Sequence, residues 1–322
     1  MAVQLTIIGM GQVGTSIGLA LAAYPEKIRR TGHDKDFEQA NKAQRLGALD
    51  KAEMNLPRSV EGADLVILSL PLDAIQETLT LIAPDLRPGC VVMDTAPFKA
   101  PVSEWARTQL GPDRHYIGLV PALSPHHIAE MERPPHADLF RAGLVGLVSP
   151  AGTPAEALQL ACDLITLLGA EPFFLDLIES DGLMASAHIL PQLISASLLN
   201  LTVDSPGWLE VRRLAGRPYA TVALPAASQD SPASLAQALV ANPQASLGAL
   251  DGYIQTLNTL RAAIAAGDED HLTRRFKQAR LGRNQWWLER ASGDWRKVEA
   301  DAKELPKRPG LFGSLLGLDR RK

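Results

Sequence analysis

Hydrophobic and polar positions follow two different patterns along the chain, and the change between them falls near residue 176. Before it, short runs rich in β-branched residues alternate with amphipathic helical segments, which is typical of a mostly parallel sheet with crossover helices. The runs are VQLTIIG, IRRTGHD, ADLVILSLP, CVVMDTA, HYIGLVP, GLVGLVSP and EPFFLD. The segments between them include SIGLALAAY, DFEQANKAQRLG, LDAIQETLTLIAP, APVSEWARTQLG and PAEALQLACDLITLLG. The pattern predicts an α/β Rossmann-like nucleotide-binding domain over residues 1–175.

Beyond Asp176 the strand runs give way to helical periodicity. Apolar residues recur at helical spacing at Leu235, Leu239, Leu250, Ile254, Leu257, Leu260 and Ile264. We therefore expect an all-α domain over residues 176–298, and its apolar helices predict a homodimer interface. Two prolines in TVALPAASQDSPASL predict a loop over residues 221–235. Residues 299–322 are predicted to be a flexible tail, and the stretch GLFGSLLGL leaves a short partner-binding or membrane-surface helix open.

Composition narrows the class of protein. The chain has 322 residues, of which 46% are hydrophobic and 21% charged, with a net charge of −4, and this predicts a small-molecule substrate rather than a nucleic-acid partner. The N-terminus has no leader pattern and no apolar run approaches the roughly 20 residues of a membrane span, so we expect a cytoplasmic protein with no membrane partner. Cys90, Cys162, His126, His127 and His136 lack metal-ligand spacing along the chain, so no metal site is predicted.

A glycine-rich turn, GMGQVG at residues 9–14, follows the first predicted strand and opens the first helix. In that context Gly9 permits the tight turn, Gly11 lets the backbone approach a pyrophosphate, and Gly14 lets the helix pack closely on the strand. The turn therefore predicts a dinucleotide site. The predicted cofactor-binding residues are Gly9, Met10, Gly11, Gln12, Val13, Gly14, Asp34, Leu70, Pro71 and Thr95.

Asp34 ends the second predicted strand, 20 residues after Gly14 (34 − 14), where an acid that binds the ribose is expected. A carboxylate there accepts hydrogen bonds from ribose hydroxyls and repels a 2′-phosphate, so NAD is the predicted cofactor. Lys35, Arg29 and Arg30 keep NADP open as an alternative. The structural alternative is that the glycines only form a turn and that Asp34 caps the next helix without binding a cofactor.

With these residues placed, the chain resembles the prephenate and arogenate dehydrogenase family over about residues 3–290. The resemblance is carried by GMGQVGTSIGLAL, ADLVILSLPLDAI, DTAPFK, ADLFRAGLVGLVSP, SDGLMASAHILPQLISASL and AIAAGDEDHLTRRFKQARLGR. It implies a Rossmann domain that binds NAD(P) and a helical domain that forms a dimer. It also implies a reaction of tyrosine biosynthesis, in which the ring carbinol of prephenate or arogenate is oxidised by hydride transfer with decarboxylation.

The family's active-site motifs are only partly present. Of its Asp-x-x-Ser-x-Lys motif the chain keeps Asp94 and Lys99, but Pro97 replaces the serine. Of its His-Pro-x-x-Gly motif, whose histidine accepts the substrate proton, Val120 replaces the histidine. The family's helix motif aligns on Asp181, Ala185, Leu190 and Pro191, its three histidines fall on Ser180, Ile189 and Gln192, and its serine falls on His188. Arg217 lies near the family's substrate-binding arginine but is offset from it.

The remaining polar residues supply the candidates for catalysis. His188 and Gln192 are four residues apart and so share a helix face, and Lys99 follows the fifth strand; we take these three as catalytic candidates. His126 and His127 could supply a base from a shifted position. Each has a structural alternative. His188 could be a core histidine, Lys99 an exposed lysine at the start of a helix, and His126 and His127 a solvated pair in a loop. Three hypotheses remain: a prephenate or arogenate dehydrogenase with substitute residues, an NAD(P)-dependent oxidoreductase on a less charged substrate, and a non-catalytic dinucleotide-binding protein.

Overall fold

The structure, a computed structural model, describes residues 2–128, 134–227 and 231–292. The chain divides into two compact units, Met1–Ala262 and Ala263–Lys322. The domain boundary predicted at residue 176 stays a prediction, and the tail predicted over residues 299–322 lies outside the described residues.

An eight-stranded sheet forms the centre of the first unit, with the strand order β3-β2-β1-β4-β5-β6-β7-β8. All neighbouring strands are parallel except β6 and β7, which are antiparallel. The strands are β1 Val3–Ile8, β2 Ile28–His33, β3 Lys51–Ala52, β4 Leu65–Leu68, β5 Val91–Asp94, β6 His115–Ala122, β7 Leu144–Val148 and β8 Glu171–Phe174. The mostly parallel sheet predicted from the sequence is confirmed, and the sequence pattern missed only the two-residue strand β3.

Helices cover both faces of this sheet, which explains why its central strands β4 and β5 are buried along their whole length. The helices are α1 Gln12–Leu21, α2 Phe37–Arg45, α3 Leu56–Val60, α4 Leu72–Ile82, α5 Ala100–Gln109 and α6 Ala155–Leu167. Alternate side chains of β4 point to opposite faces of the sheet and so belong to different cores. Leu65 and Ile67 lie in the core with α1, α2 and α6. Val66 and Leu68 belong to the core with α3, α4 and α5.

The rest of the described chain is helical. Its helices are α7 Leu177–Met184, α8 Leu190–Val203, α9 Trp208–Leu214, α10 Arg217–Ala223, α11 Pro232–Ala241, α12 Pro243–Ala266 and α13 Glu269–Ser292. The loop predicted over residues 221–235 is shorter than expected, because α10 continues to Ala223 and is followed by a 3₁₀ turn, Leu224–Ala227. Pro232 does not break a helix but begins one, behind the capping residue Ser231, since proline suits the first turn.

A π-helical turn, Ala185–Ile189, joins α7 to α8. Pro191 lies in the first turn of α8 and has no N–H to donate to the carbonyl group one turn back, so a regular α-helix cannot pass through this point. The chain instead forms a wider hydrogen bond from the Leu190 N–H to the Ala185 carbonyl. The π turn therefore has a local cause, and such turns are often found at functional sites.

The continuous helix Leu177–Val203 is long and apolar enough to cross a membrane by length and composition, with a mean hydropathy of 1.3 in its most apolar window. The sequence did not indicate this segment, because polar residues such as Asp181 and Gln192 interrupt its apolar run. Asp181 is buried and hydrogen-bonded to the backbone at the start of α5.

Candidate functional site

A cavity of about 700 Å³ runs along the carboxyl ends of the parallel strands. Strand order reverses between β1 and β4, and open α/β sheets bind ligands at such a reversal. Of the predicted cofactor residues, the cavity is lined by Gly9, Gly11, Gln12, Val13, Asp34, Leu70, Pro71 and Thr95. Met10 is buried in the core, and Gly14 is buried within α1 behind the turn. The fold therefore brings most of the predicted cofactor residues to one place.

The backbone of the glycine turn fits a pyrophosphate. Gly9 has φ of +94°, and a Cβ atom there would lie 2.2 Å from the Ser69 carbonyl oxygen, so no side chain is tolerated. At Gly11, no described atom lies within 4 Å of where a Cβ would be, which leaves room for phosphate oxygens beside the backbone. Gly11, Gln12 and Val13 bring the N-terminus of α1 to the cavity, and the helix dipole favours an anion there.

Asp34 is tied to the same turn by backbone hydrogen bonds. The Met10 N–H donates to its Oδ2 at 2.7 Å, and the Asp36 N–H donates to its Oδ1 at 2.9 Å. Each carboxylate oxygen has a second lone pair, so the carboxylate can also accept a ribose hydroxyl. The turn and the acid thus form one rigid unit at the ends of β1 and β2.

Arg30 plays no part in this site, although the sequence left it open as a ligand for a 2′-phosphate. It is buried, its guanidinium group binds Asp50 at 2.8 Å, and it donates to the carbonyl groups of Gly18 and Gly47. Burial alone would raise the pKa of Asp50, but the hydrogen bonds and charge of Arg30 together lower it. Arg29 is exposed and is not among the described residues that line the cavity, whereas Lys35 lines it. The arrangement favours NAD over NADP.

The far end of the cavity holds the positions at which the chain departs from the family pattern. Val120, Pro97, His188 and Ile189 all line it. Strands β1, β4 and β5 separate β2 from β6, so Val120 and Asp34 lie towards opposite ends of the cavity. The π turn carries His188 into the lining, and Ile189 is buried beside it. His188 is thus the predicted catalytic residue that reaches the cavity.

Lys99 is not among the residues that line the cavity, because its side chain is 0% exposed. Its Nζ atom donates to Asp94 Oδ1 at 2.7 Å and to the Asp94 carbonyl oxygen at 3.3 Å. The Tyr116 hydroxyl donates to Asp94 Oδ2 at 2.7 Å. Burial lowers the pKa of Lys99, against the opposing charge of Asp94, and burial raises the pKa of Tyr116. This buried cluster lies beneath the strand ends and supports them.

Gln192 is also outside the lining, because it is buried and its Nε2 atom donates to the His188 carbonyl oxygen at 3.1 Å. Asp181, in the preceding helix α7, accepts the backbone N–H groups of Lys99 and Ala100 at 2.6 and 3.0 Å, and so caps the start of α5. The Asn242 side chain donates to the same carboxylate at 2.6 Å. Burial raises the pKa of Asp181 despite these hydrogen bonds. Asp181 therefore joins the helix that carries His188 to the loop after β5.

His126, His127 and Arg217 are not among the described residues that line the cavity. His127 binds Asp138 instead, with 2.9 Å between Nε2 and Oδ1, and Arg217 is exposed at the start of α10. Sequence reasoning also missed one wall of the cavity, formed by Ser234, Leu235 and Ala238 of α11. That wall forms because α11 packs against α4, and a contact between such distant segments cannot be predicted from a local sequence pattern.

Comparison with known proteins agrees with this geometry. The family model described as "Prephenate dehydrogenase, nucleotide-binding domain" matches residues 17–173, and "Prephenate dehydrogenase, dimerization domain" matches residues 178–278. Cyclohexadienyl dehydrogenase of Zymomonas mobilis is 27% identical over 87% of this chain and 94% of its own length. Prephenate dehydrogenase of Bacillus subtilis is 25% identical over 86% of this chain and 74% of its own length.

Solved structures with the same fold include prephenate dehydrogenase from A. aeolicus, in complex with hydroxyphenyl propionate and NAD+. Its TM-score is 0.77 at 20% identity, over 88% of this chain and 98% of that one. Synechocystis arogenate dehydrogenase has a TM-score of 0.69 at 21% identity, over 88% of this chain and 99% of that one. Because the two family models match residues 17–173 and 178–278, and so together cover most of the chain, the chain belongs to the prephenate dehydrogenase family.

Proposed function

We propose that the protein is an NAD-dependent dehydrogenase of the prephenate and arogenate type, acting in tyrosine biosynthesis. The observation that carries this proposal is the single cavity that joins the glycine turn and Asp34 at one end to His188 at the other. Bound NAD would accept a hydride from the ring carbinol of the substrate. The chain's own part is to hold the cofactor, orient the substrate, and take up the proton of the hydroxyl group.

We propose that His188 accepts the proton of the substrate hydroxyl group. An imidazole is suited to proton transfer near neutral pH, and the other histidine in the lining, His33, lies at the Asp34 end, where its Nδ1 atom contacts the Glu53 carbonyl oxygen at 3.0 Å. Gln192 accordingly has a supporting role through the His188 carbonyl group. Lys99 supports the loop after β5 and does not act on the substrate.

A second candidate function is the oxidation of a less charged alcohol. Among the described residues that line the cavity, Lys35 is the only lysine or arginine, and it is next to Asp34 at the cofactor end. Val120, Pro97 and Ile189 give the substrate end an apolar character. Apolar walls suit a substrate with fewer carboxylates than prephenate, because a buried charge without a partner is costly. This observation favours a neutral or monocarboxylate alcohol over prephenate and arogenate, which each carry two carboxylates.

The test is absorbance at the NADH maximum with purified protein, each cofactor, and prephenate or arogenate, beside a calorimetric titration of each cofactor alone. We expect turnover with NAD, and loss of about 10²- to 10⁴-fold in kcat for His188→Ala, with NAD affinity unchanged. His126→Ala is the matched control and should keep full activity. Cofactor binding without turnover on either substrate would move the search to neutral alcohols, and then to a non-catalytic role.

We further propose that the protein is a homodimer through its helical part. One matched family model is described as a dimerization domain, and large apolar side chains are exposed on the helices after residue 176, including Leu201, Leu209, Leu214, Val240, Ile254 and Leu257. Burial of such a surface in a partner accounts for the apolar character of the helix Leu177–Val203 without a membrane. We propose a cytoplasmic location, as for a biosynthetic enzyme, and cell fractionation would test it.

A further inference from the structure

Two histidines and an aspartate meet in the connection between β6 and β7, away from the cavity lining. The rings of His127 and His136 are stacked, with centroids 4.1 Å apart and 18° between their planes. His127 Nε2 lies 2.9 Å from Asp138 Oδ1. One ligand atom of each of the three residues lies within 4.8 Å of the other two. The sequence had excluded a metal here because these residues lack the usual spacing along the chain.

The fold brings the three together by closing the connection on itself. The Ser124 N–H donates to the Leu139 carbonyl oxygen at 2.7 Å, and the His127 N–H donates to the Ser124 carbonyl oxygen at 3.0 Å. The loop also rests on α1, because the His136 N–H donates to Ser16 Oγ at 3.0 Å. Hydrogen bonds of the backbone therefore hold the three residues near one another, independently of contacts between their own side chains.

The donor set suits a divalent transition metal. Imidazole nitrogen and carboxylate oxygen bind zinc at about 2.0–2.2 Å, so ligands around a tetrahedral ion lie roughly 3.3–3.6 Å from one another. His127 Nε2 and Asp138 Oδ1 are 2.9 Å apart, and the three ligand atoms lie within 4.8 Å of one another. The two stacked imidazole rings would turn so that a nitrogen lone pair of each points to the ion. The His127 side chain is 9% exposed whereas that of Asp138 is 45% exposed. An ion can thus enter from the Asp138 side, where water would complete its coordination.

We propose that His127, His136 and Asp138 form a binding site for a zinc-like divalent metal, with water as the remaining ligand. The metal would bridge the two ends of the connection between β6 and β7 and hold it against α1. None of the three side chains is among those that line the cavity, so this inference does not rest on the proposed function.

The test is a calorimetric titration of Zn²⁺ into the full chain, prepared without an affinity tag and stripped with chelator. We expect one equivalent to bind. His127→Ala, His136→Ala and Asp138→Asn should each weaken binding at least about 10-fold, because even outer-shell partners of a metal typically contribute 10- to 100-fold. His126→Ala is the matched control, since it removes the neighbouring histidine and should leave the affinity unchanged.

Thermal unfolding with Zn²⁺ gives a second measurement, because a ligand that binds only the folded state raises the melting temperature. The increase should be present in the wild type and in His126→Ala, and smaller in Asp138→Asn at the same Zn²⁺ concentration. That substitution lies at a half-exposed position and keeps the shape of the side chain, so it tests the site even if His127→Ala fails to fold. Failure of the wild type to bind Zn²⁺, or equal binding by wild type and Asp138→Asn, would overturn the proposal.

Discussion

The buried pair of Lys99 and Asp94 offers a sharp test of how the strand ends are held together. Neither side chain is exposed, and the Nζ atom lies 2.7 Å from Oδ1. Asp94 keeps two further donors, the Tyr116 hydroxyl and the Ala96 N–H at 2.7 and 2.8 Å. Replacement of Lys99 by methionine preserves the length and apolar stem of the side chain but removes the charge. Asp94 would then be a buried carboxylate without its cation.

Removal of one partner from a buried ion pair typically costs about 3–5 kcal/mol. The two remaining hydrogen bonds place the cost for Lys99→Met near the lower end, at about 3 kcal/mol in the free energy of unfolding. The double substitution Lys99→Met with Asp94→Asn should recover part of that loss, because the charge without a partner is then gone. Lys42→Met, at an exposed position of α2, is the control and should change the free energy by less than about 0.5 kcal/mol.

Urea unfolding followed by circular dichroism measures these differences, at one fixed protein concentration because association with a partner contributes to stability. A loss of under about 1 kcal/mol for Lys99→Met would refute the reasoning. So would a double variant that is less stable than Lys99→Met alone, since it would mean that the cost does not come from the charge left on Asp94.

Three further predictions concern the cofactor, pH and assembly. Asp34→Asn should weaken NAD binding about 10- to 100-fold, because hydrogen bonds to a charged group contribute about 1.5–3 kcal/mol, and calorimetry should show a smaller preference for NAD over NADP. The pKa of Asp50 is lowered in the fold, so its ionised carboxylate stabilises the protein fully above the ordinary pKa of 3.8. This stabilisation is lost as pH falls through the lower, folded-state pKa. The difference in urea midpoint between wild type and Asp50→Asn should therefore shrink as pH falls below 3.8. Leu201→Lys, at a position 75% exposed in α8, should shift the protein towards monomer in size-exclusion chromatography with light scattering, whereas Leu46→Lys should not.

The sheet and the cofactor end of the cavity were predictable because their signals are local. Uninterrupted β-branched runs identify buried parallel strands, and Gly9 and Asp34 each follow a strand directly, so their meeting at one edge of the sheet follows from the topology. Arg30 illustrates the limit of such reasoning. Its position upstream of Asp34 in the sequence left it open as a ligand for a 2′-phosphate. Alternation along β2 buries its side chain instead, and its guanidinium group binds the partly exposed Asp50.

The substrate end was less predictable because it depends on contacts between distant segments. The spacing of His188 and Gln192 assumed a regular α-helix, whereas Pro191 imposes a π turn, and His188 lines the cavity while Gln192 does not. Lys99 was predicted as a catalytic candidate, with an exposed lysine at the start of a helix as the alternative, and its partner Asp94 lies five residues earlier in the sequence. No local pattern indicated that both would be buried, since that depends on the helices packed above them.

Val120 replaces the histidine that accepts the substrate proton in the family's motif, and the structure leaves room to introduce a histidine there. Val120 lines the cavity at the end of β6 and lies opposite Gly146 on the antiparallel strand β7. A Cβ atom on Gly146 would lie 3.2 Å from that of Val120, so the glycine leaves space beside it for a larger side chain. We expect Val120→His to raise kcat/KM for prephenate or arogenate at least about 10-fold, because general base catalysis typically contributes 10²- to 10⁴-fold. The gain should come with a change in the pH dependence of kcat/KM relative to the wild type, with NAD affinity unchanged. An unchanged rate, in a variant that still folds and binds NAD, would mean that the absence of an acceptor at this position does not limit turnover, and that the apolar lining selects a different substrate.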